Sequence, residues 1–131
     1  MPARWTHITI TVADLDRSIA FYREICGLDV VRDRRPSGGS TVWLGYPADD
    51  GGDPVFVLVL MPGEVTNRLD HFGFQCDTRD EVDRMARLAA ERDILVEPPT
   101  DSGGVVGYWM VLRDPDGHQV EFTHGQPLLG L

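Results

Sequence analysis

The sequence predicts an α+β fold made of two βαβββ modules, and three observations lead there. First, RWTHITITVADLDRSIAFYREICGLDVV (4–31) resembles RLDHFGFQCDTRDEVDRMARLAAERDILVE (68–97), and each segment opens Arg-x-x-His. Second, each segment passes from a strand-like alternation through an acidic turn into an amphipathic helical pattern. Third, each half then offers further short strands separated by Gly- and Pro-rich turns.

Module one spans about 4–62. Its first strand covers 6–12, and a helix follows with Asp14 or Asp16 as N-cap. Ile19, Tyr22 and Ile25/Cys26 form the apolar stripe of that helix, and Gly27 supplies the stop. An extended piece at 28–32 leads through a Gly/Pro loop to strands 41–46 and 54–61, joined by PADDGGD. Module two spans about 68–124. Thr78 and Glu81 make a capping box ahead of the stripe Val82, Met85, Leu88 and Ala89. An extended piece at 94–97 precedes strands 106–113 and 118–124, whose DPDG connection reads as a tight hairpin turn. Four strands and one helix expose too much apolar area to stand alone, so two such units are expected to pair within one domain, 1–131.

Composition narrows the function. A chain of 131 residues with 42% hydrophobic and 25% charged residues buries enough surface to fold without disulfides, which excludes intrinsic disorder. The longest apolar run, VFVLVLM at 55–61, is too short to span a bilayer. The N-terminal decapeptide lacks a signal-peptide layout, so a cytoplasmic protein is expected. A net charge of −9 argues against a nucleic-acid partner. Cys26 and Cys76 have no CxxC spacing and read as reduced core thiols.

Strand parity carries the chemistry. Ile8, Ile10 and Val12 alternate with His7, Thr9 and Thr11, and Phe72, Phe74 and Cys76 alternate with His71, Gly73 and Gln75. On the last strand Val120 and Phe122 alternate with Gln119, Glu121 and Thr123. With the helices on the apolar sides, two imidazoles and one carboxylate occupy the other face. If the sheets curl together these groups converge. Two imidazoles and a carboxylate suit one divalent cation (Fe, Mn, Co, Ni or Zn) and leave coordination positions open. Thr9, Gln75 and Trp109 share that parity, and Val55, Val57 and Val111 supply an apolar wall suited to a ring system. His118, in the DPDG turn, and His124, of opposite parity, read as structural, and the acidic run at 49–53 reads as an exposed loop.

The opening HITITVADLDRSIAFYREICGL, the central DHFGFQC and the closing LRDPDGHQVEF together resemble the vicinal-oxygen-chelate superfamily, the glyoxalase/bleomycin-resistance/dioxygenase family, over roughly 4–124. The resemblance implies paired βαβββ modules around an open, U-shaped β-barrel. It places metal ligands at His7, about Val57, His71 and Glu121. Three of these positions carry donors and the fourth is apolar in either register. Glyoxalase I and methylmalonyl-CoA epimerase use Glu or Gln at the fourth position, whereas extradiol-type dioxygenases and fosfomycin-resistance thiol transferases use a His-His-Glu set. Those two groups also carry a Tyr where this chain has Val111, and the thiol transferases use a basic residue that the tail HGQPLLGL lacks. The resemblance therefore implies a metal-dependent, extradiol-dioxygenase-like oxygenase or glyoxalase-like lyase/isomerase acting on a small molecule with vicinal oxygens. The alternative is a metal-free sequestering protein of the bleomycin-resistance type. Relatives are often homodimers, so a homodimer is expected.

Overall fold

The computed structural model describes residues 5–127. The chain divides into two compact units, Met1–Asn67 and Arg68–Leu131. Unit one runs β1 (His7–Val12), α1 (Leu15–Cys26), β2 (Asp29–Asp33), a short 3-10 turn (Arg35–Ser37), β3 (Val42–Gly45) and β4 (Val57–Pro62). Unit two runs β5 (Phe72–Gln75), α2 (Arg79–Glu91), β6 (Leu95–Gly103), β7 (Gly107–Arg113) and β8 (Gln119–His124).

Each unit holds one four-stranded sheet, ordered β1-β4-β3-β2 in the first and β5-β8-β7-β6 in the second. The first strand of each unit pairs in parallel with its last, and the remaining pairs are antiparallel. This is the βαβββ order, made twice.

Local chemistry explains the helices. The Asp14 carboxylate accepts from the Arg17 N–H and starts α1. Gly27 ends it at φ 69°, a left-handed conformation that a Cβ would strain. Thr78 caps α2 by accepting from the Glu81 N–H, while the Glu81 carboxylate accepts from Arg84. The buried stripes differ slightly from expectation. Ser18 is fully buried while Ile19 is half-buried, and Ala86 is buried while Leu88 is half-buried. Packed helix-on-sheet contacts leave room for small side chains along the central line and push larger ones to the flank.

Each helix covers the apolar face of its own sheet. In unit one Ile10, Val12, Val42, Leu44, Leu58 and Leu60 are buried together with Tyr22 and Ile25 of α1. In unit two Met110, Leu112, Val120 and Phe122 meet Val82, Met85 and Ala89. Burying a side chain of this size stabilises the fold by about 1.5–3 kcal/mol. β6 is longer than the expected 94–97 and carries Pro98 and Pro99 with three register shifts, which an edge strand tolerates because its outer N–H groups have no ladder partner to lose.

Candidate functional site

In unit one the face away from α1 is concave. A cavity of about 580 Å³ is lined by His7 and Thr9 of β1, Trp43 of β3, Val57 and Val59 of β4, and Arg32 of β2, among others. Odd-numbered residues of β1 and β4 reach it because His7 pairs with Val57 and Thr9 with Val59 across the ladder. His7 and Thr9 are exposed, whereas Val57 and Val59 are buried. The Thr6 hydroxyl oxygen lies 2.8 Å from Nδ1 of His7, so a ring that donates to it presents a lone pair at Nε2.

Unit two carries the second imidazole and the carboxylate. Asp70 Oδ1 sits 2.6 Å from Nδ1 of His71, and Glu121 Oε2 sits 3.3 Å from its Nε2. An ionised carboxylate can only accept, so the Asp70 contact assigns the proton of a neutral ring to Nδ1. Nε2 then turns a lone pair, not a proton, toward Glu121. At 3.3 Å these two acceptors sit near van der Waals separation, and a proton or a cation between them would make the contact attractive. Metal–ligand bonds near 2.1 Å put adjacent donors roughly 3.0–3.4 Å apart, and the observed spacing falls in that range. A carboxylate on the far nitrogen of a ligating imidazole is the usual means of fixing ring and tautomer. The residues present therefore fit a divalent cation.

Gly73 pairs with Glu121 across the β5–β8 ladder, where a Cβ would make ordinary contact with the Glu121 Oε2 at 3.5 Å. Val111 faces Glu121 from the other side and is buried. Trp109 pairs with Thr123, and its indole N–H donates to Ser102 Oγ at 2.9 Å. Gln75 accepts from the Gln126 N–H through Oε1 at 3.0 Å, which ties the segment after β8 to β5. Within neither unit do three His, Cys, Asp or Glu side chains converge among the described residues.

The ladders also correct the fourth position. Both first-strand histidines stand seven residues before a helix N-cap, Asp14 or Thr78, so β1 and β5 align as His7 with His71. Thr9 then matches Gly73, and their partners, Val59 and Glu121, are the equivalent residues. The place assigned to about Val57 belongs to Val59; it is apolar all the same.

The remaining candidates have structural roles. His118 is buried in the turn, where its N–H donates to Asp114 Oδ1 at 2.8 Å. His124 Nδ1 lies 3.0 Å from the Cys76 carbonyl oxygen. Tyr108, on the helix side of β7, donates from its hydroxyl to Asp83 under the Arg79 guanidinium, and that acceptor pushes its pKa up. Cys26 is buried; Cys76 is half-buried, and desolvation followed by the Glu81 charge raises its thiol pKa, which keeps it inert. Asp50 closes the acidic loop by accepting from the Gly52 N–H, while Asp53 reaches the cavity wall. Sequence reading missed Asp70 and the pair Arg32 and Arg34, in and just after β2. The Asp-His dipeptide was a usable signal for the first; nothing local marks the second.

Twin βαβββ units, each led by a histidine, define a glyoxalase-like fold. The sequence matches the Glyoxalase/Bleomycin resistance protein/Dioxygenase superfamily over residues 4–122. It is 42% identical over 128 residues to an uncharacterized protein of Pseudomonas aeruginosa, covering 94% of this chain and 89% of that one. The crystal structure of lactoylglutathione lyase from Agrobacterium tumefaciens superposes with a TM-score of 0.66 at 26% identity, covering 100% of this chain and 99% of that chain. The fosfomycin resistance protein FosX from Listeria monocytogenes, complexed with Mn(II) and sulfate, shares the fold at a TM-score of 0.71 and 21% identity, covering 97% and 94%. The chain belongs to this superfamily, also called the vicinal-oxygen-chelate superfamily.

Proposed function

We propose that this chain is a metal-dependent enzyme acting on a small molecule with two adjacent oxygen atoms, in which His7, His71 and Glu121 hold one divalent cation of the Fe, Mn, Co, Ni or Zn class. The observation that carries the reading is the His71 Nε2–Glu121 Oε2 spacing of 3.3 Å with Asp70 on the far ring nitrogen. His7 adds the third donor from the equivalent strand of unit one. When bound, such a cation polarises oxygens it touches and lowers the pKa of a hydroxyl. Asp70 holds the tautomer of His71, and Val57, Val59 and Val111 keep the surroundings apolar. Thr9, Gln75 and Trp109 border the substrate.

The reaction is extradiol-dioxygenase-like or glyoxalase-like. The three-donor set supports the first, and the likeness to lactoylglutathione lyase supports the second. The protein is further proposed to be a cytoplasmic homodimer with no nucleic-acid or membrane partner; light scattering giving a monomer mass at micromolar concentration would refute the dimer. The central test is elemental analysis after tag-free purification. One metal per chain, lost in His71→Ala, is expected. No metal under any loading condition leaves a sequestering protein instead. Dioxygen uptake on a catechol panel against hemithioacetal turnover then separates the two reactions.

A further inference from the structure

We infer that the unit-one cavity binds an elongated anionic molecule, whose carboxylate or phosphate end is held by Arg32 and Arg34 and whose flat apolar body lies over Trp43 and Val59. The inference deepens the proposed function only at the end of the ligand nearest His7; the anion-binding part needs no metal.

The argument starts from a register shift. Val30 pairs with Leu44, on the helix side of the sheet, yet Arg32 pairs with Trp43, so Val31 is an extra residue in the ladder. Strict alternation would have turned Arg32 toward α1 and Asp33 toward the cavity. The bulge reverses both. Arg32 and Arg34 line the cavity, while Asp33 joins Arg35 and Asp16 of α1 in an ion-pair cluster on the opposite side, at 2.7 and 3.1 Å. The Arg35 hydrogen bonds hold the Asp33 carboxyl below its usual range, so that carboxylate is already satisfied. Among the described residues neither Arg32 nor Arg34 has a carboxylate partner, although Asp53 also lines the cavity. Two guanidiniums that face one cavity without a carboxylate partner among the described residues are conspicuous in a chain of net charge −9.

Geometry sets the ligand length. The Arg32 guanidinium lies 5.3 Å from the centroid of the Trp43 ring, above β3. β3 is two strands from β1, and neighbouring strands lie about 4.8 Å apart, so the cation stands roughly 10 Å from the strand of His7. A ligand reaching both has a spacer about the length of two aromatic rings. Guanidinium forks match carboxylate and phosphate oxygens through paired N–H donors.

The test uses EDTA-treated full-length protein at low salt and three probes: biphenyl-4-carboxylate, biphenyl-4-phosphonate and neutral biphenyl-4-carboxamide, read by calorimetry and tryptophan quenching. Both acids are expected to bind saturably, at least tenfold tighter than the amide, and their relative affinity tells carboxylate from phosphate preference. Arg32→Gln and Arg34→Gln should each weaken the acids tenfold or more and leave the amide unchanged. Arg35→Gln removes the same charge from the other face and should leave all three probes unchanged. Absence of saturable binding, equal affinity for acid and amide, or equal losses in the Arg35 variant would overturn the inference. Acid selectivity without any metal uptake would remove the metal reading and leave this one standing; metal uptake without acid selectivity would do the reverse.

Discussion

Replacing Val59 by Glu tests the alignment of the two units most directly. Val59 is 7% exposed and pairs with Thr9, two residues along the same strand face from His7, as Glu121 pairs with Gly73 beside His71. Losing its buried apolar surface costs about 2 kcal/mol. Leaving a polar group in its place without a partner costs about 1–3 kcal/mol more. The metal-free variant should therefore be destabilised by about 3–5 kcal/mol, or roughly 12–20 °C in Tm for a chain of this size. The new carboxylate also offers the proposed site a fourth donor, an oxygen, near His7. Each tenfold gain in metal affinity returns about 1.4 kcal/mol, so Mn(II) or Zn(II) should raise the Tm of Val59→Glu by several degrees more than it raises the parent. Val57→Glu, two residues back on the same strand face, should lose comparable stability without that extra recovery. Scanning fluorimetry with a metal titration by calorimetry reads both quantities. The alignment is wrong if Val57→Glu gains more metal affinity than Val59→Glu, or if neither gains any.

Three further outcomes follow from the same coordinates. Asp70→Asn keeps the size of the side chain but weakens its hold on Nδ1 of His71, and should reduce metal affinity 10- to 100-fold while the far-UV spectrum is unchanged. Gly107→Ala forces a Cβ against the His124 carbonyl oxygen at a φ of 79°, and should cost about 3 kcal/mol or more in urea unfolding. Asp101 is held below its usual pKa by the Arg79 hydrogen bond, so its folded value lies below its unfolded one. That contribution is complete above the ordinary Asp value of about 3.9 and disappears as pH falls through the lower folded value. An Asp101→Asn variant should therefore lose less stability than the parent between pH 5 and pH 2, measured by unfolding at fixed temperature.

Much of the fold is written in short-range chemistry. Thr78 and Gly27 announce a helix start and a helix stop because caps satisfy backbone groups locally, and the alternation of Ile8, Ile10 and Val12 against His7 and Thr9 fixes which face of β1 meets α1. The repeat starting at His7 and His71 marks the βαβββ succession of elements twice. Features that depend on the partner strand were not legible. The Val31 bulge follows from how β2 meets β3, and parity alone would turn Arg32 toward α1. The choice between Val57 and Val59 needed the ladder, since four consecutive buried residues of β4 look the same from sequence. Helical spacing puts Leu88 on the apolar stripe, whereas the packed face buries the smaller Ala86.

The difference between Val59 and Glu121 gives the two halves separate freedom to change. A duplicated scaffold in which one copy keeps a carboxylate beside its histidine, and the other has an aliphatic residue there, can alter its second half only within the limits of that donor pair. Its first half carries a histidine without such a carboxylate beside it. Substitutions along β2 and β3 can exchange one guest molecule for another without touching His71, Asp70 or Glu121, so divergence among close relatives should accumulate on the Arg32–Trp43 side of the molecule.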